Sequence, residues 1–102
     1  MKVTMYGAPI CSECVAAKAK LEADNRIVLE YKNIVENTML LKEFLAYRDS
    51  EAMFQVVKNA GKIGIPFFIL EDGTKTFNTI ELTNKIIGSQ EVNACSVDGK
   101  GC

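Results

Sequence analysis

The stretch Lys2-Val3-Thr4-Met5-Tyr6-Gly7-Ala8-Pro9-Ile10-Cys11-Ser12-Glu13-Cys14 decides how this chain is organised. Val3 and Met5 fall on one face of an extended segment and Thr4 and Tyr6 on the other, so Lys2 to Tyr6 is expected to form a strand that Gly7-Ala8-Pro9 ends. Val15 to Asp24 is spaced for a helix, with Val15, Ala16, Ala19, Leu21 and Ala23 apolar, Lys18, Lys20 and Glu22 toward water, and Asp24-Asn25 as the stop. Cys11 and Cys14 therefore stand where a strand hands over to a helix. Two cysteines at this spacing close a small disulfide ring, and the unpaired N–H groups of a helix start favour the thiolate of the first sulfur. The chemistry implied is reversible dithiol–disulfide exchange.

Outward from that junction, Ile27 to Asn33 follows as a short second strand. Asn37 or Thr38 suits the cap of a helix whose apolar positions Leu40, Leu41, Phe44, Leu45 and Tyr47 recur every three to four residues and which breaks near Asp49-Ser50. Ser50 restarts a helix through Met53, Phe54, Val56 and Val57, and Asn59-Ala60-Gly61 offers a glycine for a left-handed C-cap. Pro66-Phe67-Phe68-Ile69-Leu70 has the continuous apolar character of a strand buried on both faces. Asp72-Gly73 is the strongest turn signal in the chain and leads to Lys75-Thr76-Phe77, so a hairpin is expected. Thr79 suits the cap of a last helix, Ile80 to Ile87, stopped by Gly88-Ser89. The order βαβααββα predicts an α/β fold with a mixed sheet of four strands, helices on both faces and one domain over residues 1–88. The polar segment that follows, residues 89–102, carries Gly99 and Gly101 without apolar periodicity and is expected to be a flexible tail.

A length of 102 residues suits one core, and 48% hydrophobic with 25% charged residues is ordinary for a globular domain. Twelve basic against 13 acidic residues leave no charge excess to attract nucleic acid or an anionic membrane. No segment has the apolar length of a membrane span, and the first residues lack the apolar core of a signal peptide, which predicts a cytoplasmic monomer. Four cysteines in such a chain point to redox or metal work more than to a secreted disulfide scaffold.

Strand one, the cysteine pair, the helix, and the sequence Gly64-Ile65-Pro66-Phe67-Phe68 some fifty residues later resemble the thioredoxin superfamily, and the glutaredoxin-like branch most. The resemblance spans Lys2 to Ile87 and implies a thioredoxin-like three-layer sandwich. It also implies a thiol–disulfide oxidoreductase in which Cys11 attacks a disulfide and Cys14 resolves the mixed disulfide. Pro66 corresponds to a proline that the family holds in cis beside the thiols, leaving the Ile65 backbone free to pair with an extended substrate. Tyr6 and Thr79 join Ile65 and Pro66 as expected substrate-binding residues.

Two departures from that pattern matter. Many glutaredoxins carry proline inside the pair, whereas Ser12 and Glu13 stand here, and a carboxylate beside the thiols makes the couple more reducing unless Glu13 points into water. Where glutaredoxins have a Gly-Gly step for glutathione, Phe77 and Asn78 carry side chains. No tightly bound cofactor is therefore expected, and the reductant is a thiol, which includes glutathione, or a flavoprotein.

The chain has no histidine, so proton transfer falls to cysteines, carboxylates or water. An all-cysteine zinc site from Cys11, Cys14, Cys95 and Cys102 has the right ligand count but lacks a tight second knuckle, so no metal is expected. The missing glycines also count against an iron–sulfur cluster bridged by glutathione. The competing class is a non-catalytic peptide- or metal-binding module on the same fold.

Overall fold

The computed structural model describes the backbone of residues 1–90 and the side chains of residues 1–84. Eight elements follow in the order β1 (Lys2–Gly7), α1 (Ser12–Glu22), β2 (Val28–Asn33), α2 (Thr38–Ser50), α3 (Phe54–Asn59), β3 (Phe67–Leu70), β4 (Lys75–Thr76) and α4 (Thr79–Gln90). The result is a mixed α/β fold with one four-stranded sheet ordered β2-β1-β3-β4. β1 pairs parallel to β2, in register from Lys2 with Val28 to Gly7 with Asn33. β3 runs antiparallel to both β1 and β4. A parallel pair needs a crossover, and α1 supplies it.

The period-two alternation of β1 and β3 divides the core between the two faces of the sheet. Val3, Met5, Phe68 and Leu70 pack with Cys14, Ala17 and Leu21 of α1 and Leu82 of α4. Tyr6 and Phe67 pack on the other side with Phe44 of α2 and Phe54 of α3. Phe44, Phe54, Phe67 and Phe68 are fully buried, each contributing up to about 3 kcal/mol of apolar transfer. Among the described residues no helix is long and apolar enough to cross a membrane.

Several boundaries move from where the sequence places them. α1 starts at Ser12, not Val15, because Cys11 itself caps it. Its buried stripe is Cys14, Ala17 and Leu21, whereas Val15 is half exposed. Ser50 closes α2, its Oγ donating to the Ala46 carbonyl across 2.7 Å; the extended Glu51 breaks the chain, and α3 starts at Phe54. Asn37 is the α2 cap, accepting from the Leu40 N–H at 2.9 Å. The cap of α4 is Asn78, not Thr79: its Oδ1 accepts from the Ile80 N–H at 2.7 Å. α4 continues through Gly88 and Ser89 to Gln90, past the glycine expected to stop it.

The turns match their residues. α3 ends at Asn59 with Ala60 as its cap, and Gly61, which has φ of +72°, follows as the left-handed residue the sequence offered. The Lys62 N–H donates to the Val57 carbonyl and the Gly61 N–H to the Lys58 carbonyl, at 2.8 and 3.0 Å, the pair of bonds that closes a left-handed helix end. The hairpin has a three-residue loop, Glu71-Asp72-Gly73, between Leu70 and Thr74.

Candidate functional site

β1 and α1 meet at the two cysteines. The chain turns at Ala8, whose carbonyl accepts from the Cys11 N–H at 3.1 Å. Cys11 then takes the extended N-cap conformation, with φ of −99° and ψ of 113°. In a helix cap a side-chain acceptor satisfies one of the orphan N–H groups. Here that acceptor is sulfur: the Cys14 N–H donates to Cys11 Sγ across 3.2 Å. The two thiols are both free and stand in different surroundings.

Cys11 is partly exposed, while Cys14 is only 1% exposed. Burial first, and then the hydrogen bond with the Cys11 side chain, push the Cys14 thiol up to about 12, against a smaller opposing pull from the Ala8 backbone. Glu13, exposed in the first turn of α1, adds a weak push in the same direction. Its carboxylate thus acts on Cys14 while remaining in water.

Gly7 makes the burial of Cys14 possible. A Cβ built on Gly7 would stand 3.2 Å from both Cβ and Sγ of Cys14 and 3.3 Å from Met5 Cε. The absence of a side chain at the end of β1 lets Cys14 sit directly on the strand.

Cys11 opens onto a groove of about 670 Å³ lined by Ile10, Val57, Ile63, Ile65, Pro66 and Phe77, with Glu13 and Lys62 as its charged members. The Ile65–Pro66 peptide is cis, and both residues line this groove with Cys11. Thr79 lines a smaller adjoining hollow with Glu13, Lys20 and Asn78. Pro66, Phe77 and Glu13 belong to both hollows and form the ridge between them. Phe77 is held there by an edge-on contact with Phe54, ring centroids 4.9 Å apart.

Tyr6 does not join this site. It is 2% exposed, and its hydroxyl donates to Glu43 Oε1 at 2.6 Å, the same oxygen that takes the Lys32 ammonium. Its ring lies stacked 6.0 Å from that of Phe67. Because β1 alternates, Tyr6 faces α2 while the thiols stand on the α1 side, and the substrate-binding assignment is corrected to a structural one. Burial and then Glu43 raise the Tyr6 hydroxyl well above the usual phenol range. Lys32 first and then Tyr6 hold Glu43 below the usual carboxylate range.

Sequence reasoning missed several contributors. Ile10 is 87% and Ile63 57% exposed; both are apolar residues outside any periodic segment, the signal that could have marked them as groove rim. Arg48 of α2 holds the far wall, donating from Nε to the Ile63 carbonyl and from Nη2 to the Lys62 carbonyl, each at 2.9 Å. Gly64, with φ of +99°, lies so close to Phe54 that a Cβ would meet the ring at 2.8 Å.

Among the described residues no group of three or more cysteine, aspartate or glutamate side chains could hold a metal ion. Cys95 and Cys102 lie outside the described residues, as does the tail assignment beyond Gln90. Comparison with family models, with curated proteins and with solved structures found no match.

Proposed function

We propose that this chain is a thiol–disulfide oxidoreductase of the glutaredoxin-like type on a thioredoxin-like sandwich. The observation that carries the reading is the inequality of the two thiols. One is open to a groove and receives a helix N–H; the other is buried one turn on, its thiol pushed up to about 12. Nucleophilic exchange needs such a division between an attacking and a resolving sulfur.

In the forward step the Cys11 thiolate attacks one sulfur of a substrate disulfide. The substrate S–S bond breaks, its second sulfur leaves as a thiolate and takes a proton, and Cys11 is left in a mixed disulfide. That bond changes the surroundings of Cys14. A disulfide sulfur carries no charge, so two influences that hold the Cys14 proton, the hydrogen bond and the charge of Cys11, are withdrawn while burial remains. Cys14 then gives up its proton and attacks Cys11 Sγ. The reduced substrate leaves as a thiol, and the Cys11–Cys14 disulfide holds the two electron equivalents of oxidation. A dithiol or flavoprotein reductant resets it. Phe77 on the ridge, where glutaredoxins have glycine, favours such a reductant over glutathione.

Ile65 and Pro66 beside Cys11 suit an extended peptide laid along the groove, with Ile10, Ile63 and Phe77 against its side chains. Glu13, exposed at the groove edge, adds only a weak push against negative charge on Cys14. The test is titration of the pure protein in glutathione redox buffers, with acid quenching, alkylation and intact-mass readout. A reversible two-electron transition confined to Cys11 and Cys14 is expected. Cys11→Ser abolishes disulfide reduction, and Cys14→Ser accumulates a mixed disulfide. A protein that binds peptide in the groove yet shows no transition in any buffer would be the binding module instead.

A further inference from the structure

Two charged side chains line the groove at Cys11, and they belong to different walls. Glu13 is part of the ridge with Pro66 and Phe77 that the groove shares with the adjoining hollow, whereas Lys62 stands in the far wall with Gly61 and Ile63 and takes no part in that hollow. Both are exposed, and neither charge is answered inside the molecule. Among the described residues neither the Lys62 ammonium nor the Glu13 carboxylate has an ion-pair or hydrogen-bond partner.

Glu13 has a structural reason to be charged, since it lies in the first turn of α1, where a carboxylate suits the helix start. Lys62 lacks the matching reason, because the last turn of α3 already carries Lys58. The Lys62 backbone is nevertheless held at both ends. Its N–H donates to the Val57 carbonyl at 2.8 Å, and its carbonyl accepts from Arg48 Nη2 at 2.9 Å. The ammonium therefore moves on its flexible stem about a fixed root in the groove wall.

We propose that the groove selects protein disulfides in extended, acidic segments: a cysteine with apolar neighbours meets Cys11, and a carboxylate side chain set away from that cysteine pairs with Lys62. This rests on the oxidoreductase reading and names its substrate class. With 12 basic against 13 acidic residues the chain has no excess charge to draw acidic partners from a distance, so the selection is local. A carboxylate on the far-wall side gains the Lys62 ammonium, while one next to the substrate cysteine meets Glu13 and is repelled. An exposed ion pair is worth up to about fivefold in affinity. The apolar walls, Ile10, Val57, Ile63 and Phe77, supply contact area that does not depend on charge.

The test uses the full chain and extended peptides of one apolar framework, each with a single cysteine held as its mixed disulfide with pyridine-2-thiol. Attack by the Cys11 thiolate joins Cys11 to the peptide sulfur, breaks the S–S bond and releases uncharged pyridine-2-thione, which is read by its absorbance. Glutamate, glutamine or lysine is placed at one position at a time on either side of the cysteine. The second-order rate of release is taken as the part lost in Cys11→Ser. Glutamate is expected to exceed glutamine about fivefold at positions away from the cysteine, with lysine below both. That ratio should fall to one in Lys62→Met, invert in Lys62→Glu and shrink as salt is raised. No preference for glutamate at any position, or a preference that persists in Lys62→Met, overturns the proposal while leaving exchange at Cys11 intact. Glutathione disulfide that reacts faster than every glutamate peptide and is slowed by Lys62→Met overturns it in favour of glutathione as the occupant. Release unaffected by Cys11→Ser overturns the oxidoreductase reading itself.

Discussion

Gly7 and Cys14 touch: the last residue of β1 lies where any Cβ would press to within 3.2 Å of the Cys14 sulfur. The strand and the helix are thus brought together by a missing side chain, and the buried thiol occupies the space. Gly7→Ala is expected to cost about 1–3 kcal/mol through overpacking and to slow closure of the Cys11–Cys14 disulfide. Urea unfolding and the rate of disulfide formation check the two effects. A variant of unchanged stability with normal ring closure would mean that the strand and α1 are not so tightly apposed.

The inequality of the thiols has its own pH signature. With Cys14 at about 12, about one molecule in ten thousand carries its thiolate at pH 8. Alkylation by iodoacetamide at that pH should label Cys11 and spare Cys14 until the protein is unfolded, as peptide mapping would show. The folded value lies above the ordinary value of 9.0. The associated stability of the dithiol form is therefore fully present below about pH 9 and is lost as the pH rises toward 12, where the unfolded chain ionises first.

Tyr6→Phe separates structure from function. It removes the hydroxyl that donates to Glu43 and leaves the Lys32–Glu43 pair and the ring contacts in place. A loss of about 1–2 kcal/mol in denaturant unfolding is expected, with disulfide turnover unchanged. Because Lys32 and Tyr6 depress the Glu43 carboxyl below its ordinary 4.5, the stability due to this trio is present above that pH and is lost as the pH falls through the depressed value. Altered turnover in a fully folded variant would return Tyr6 to the proposed substrate site.

What could be foreseen and what could not divides by range of interaction. The strands, the four helices and the hairpin were legible because alternation, capping residues and Asp72-Gly73 act over a few residues. Cys11 and Cys14 were legible for the same reason. The α1 stripe was misassigned because Ala16, Ala17 and Ala19 are equally apolar and only contact with β1 distinguishes Ala17. Tyr6 was misassigned because alternation puts it opposite Val3 and Met5 but only the contact with Glu43 and Phe44 of α2 makes that face core and not the rim of the thiol site. Glu43 and Arg48 were invisible because their partners, Tyr6 and the Lys62–Ile63 backbone, are 37 and 14 to 15 positions away.

Arg48 gives a test of the groove wall. Arg48→Met keeps the apolar stem and removes both bonds to the Lys62 and Ile63 carbonyls. These bonds are exposed, so stability should change by less than about 1 kcal/mol. Substrate positioning is more sensitive than stability, and kcat/KM for a peptide disulfide is expected to drop roughly tenfold. Steady-state kinetics on the folded variant would decide; unaltered kcat/KM would remove this wall from the binding surface.

Two glycines of unequal surroundings flank Lys62 and Ile63. Gly61 and Gly64 both have positive φ, +72° and +99°, yet a Cβ on Gly61 meets nothing within 4 Å while one on Gly64 meets the Phe54 ring at 2.8 Å. Gly61→Ala therefore bears only the backbone cost, about 1 kcal/mol. Gly64→Ala must in addition displace Phe54, which is fully buried and supports Phe67 and Phe77. Its total is expected to reach about 3–5 kcal/mol. Because Phe54 carries Phe77, Gly64→Ala should also weaken peptide-disulfide turnover at temperatures where the variant is still folded, which Gly61→Ala should not. Denaturation midpoints measured side by side, with turnover at low temperature, separate the two; equal losses would mean that the turn before Ile65 does not rest on Phe54.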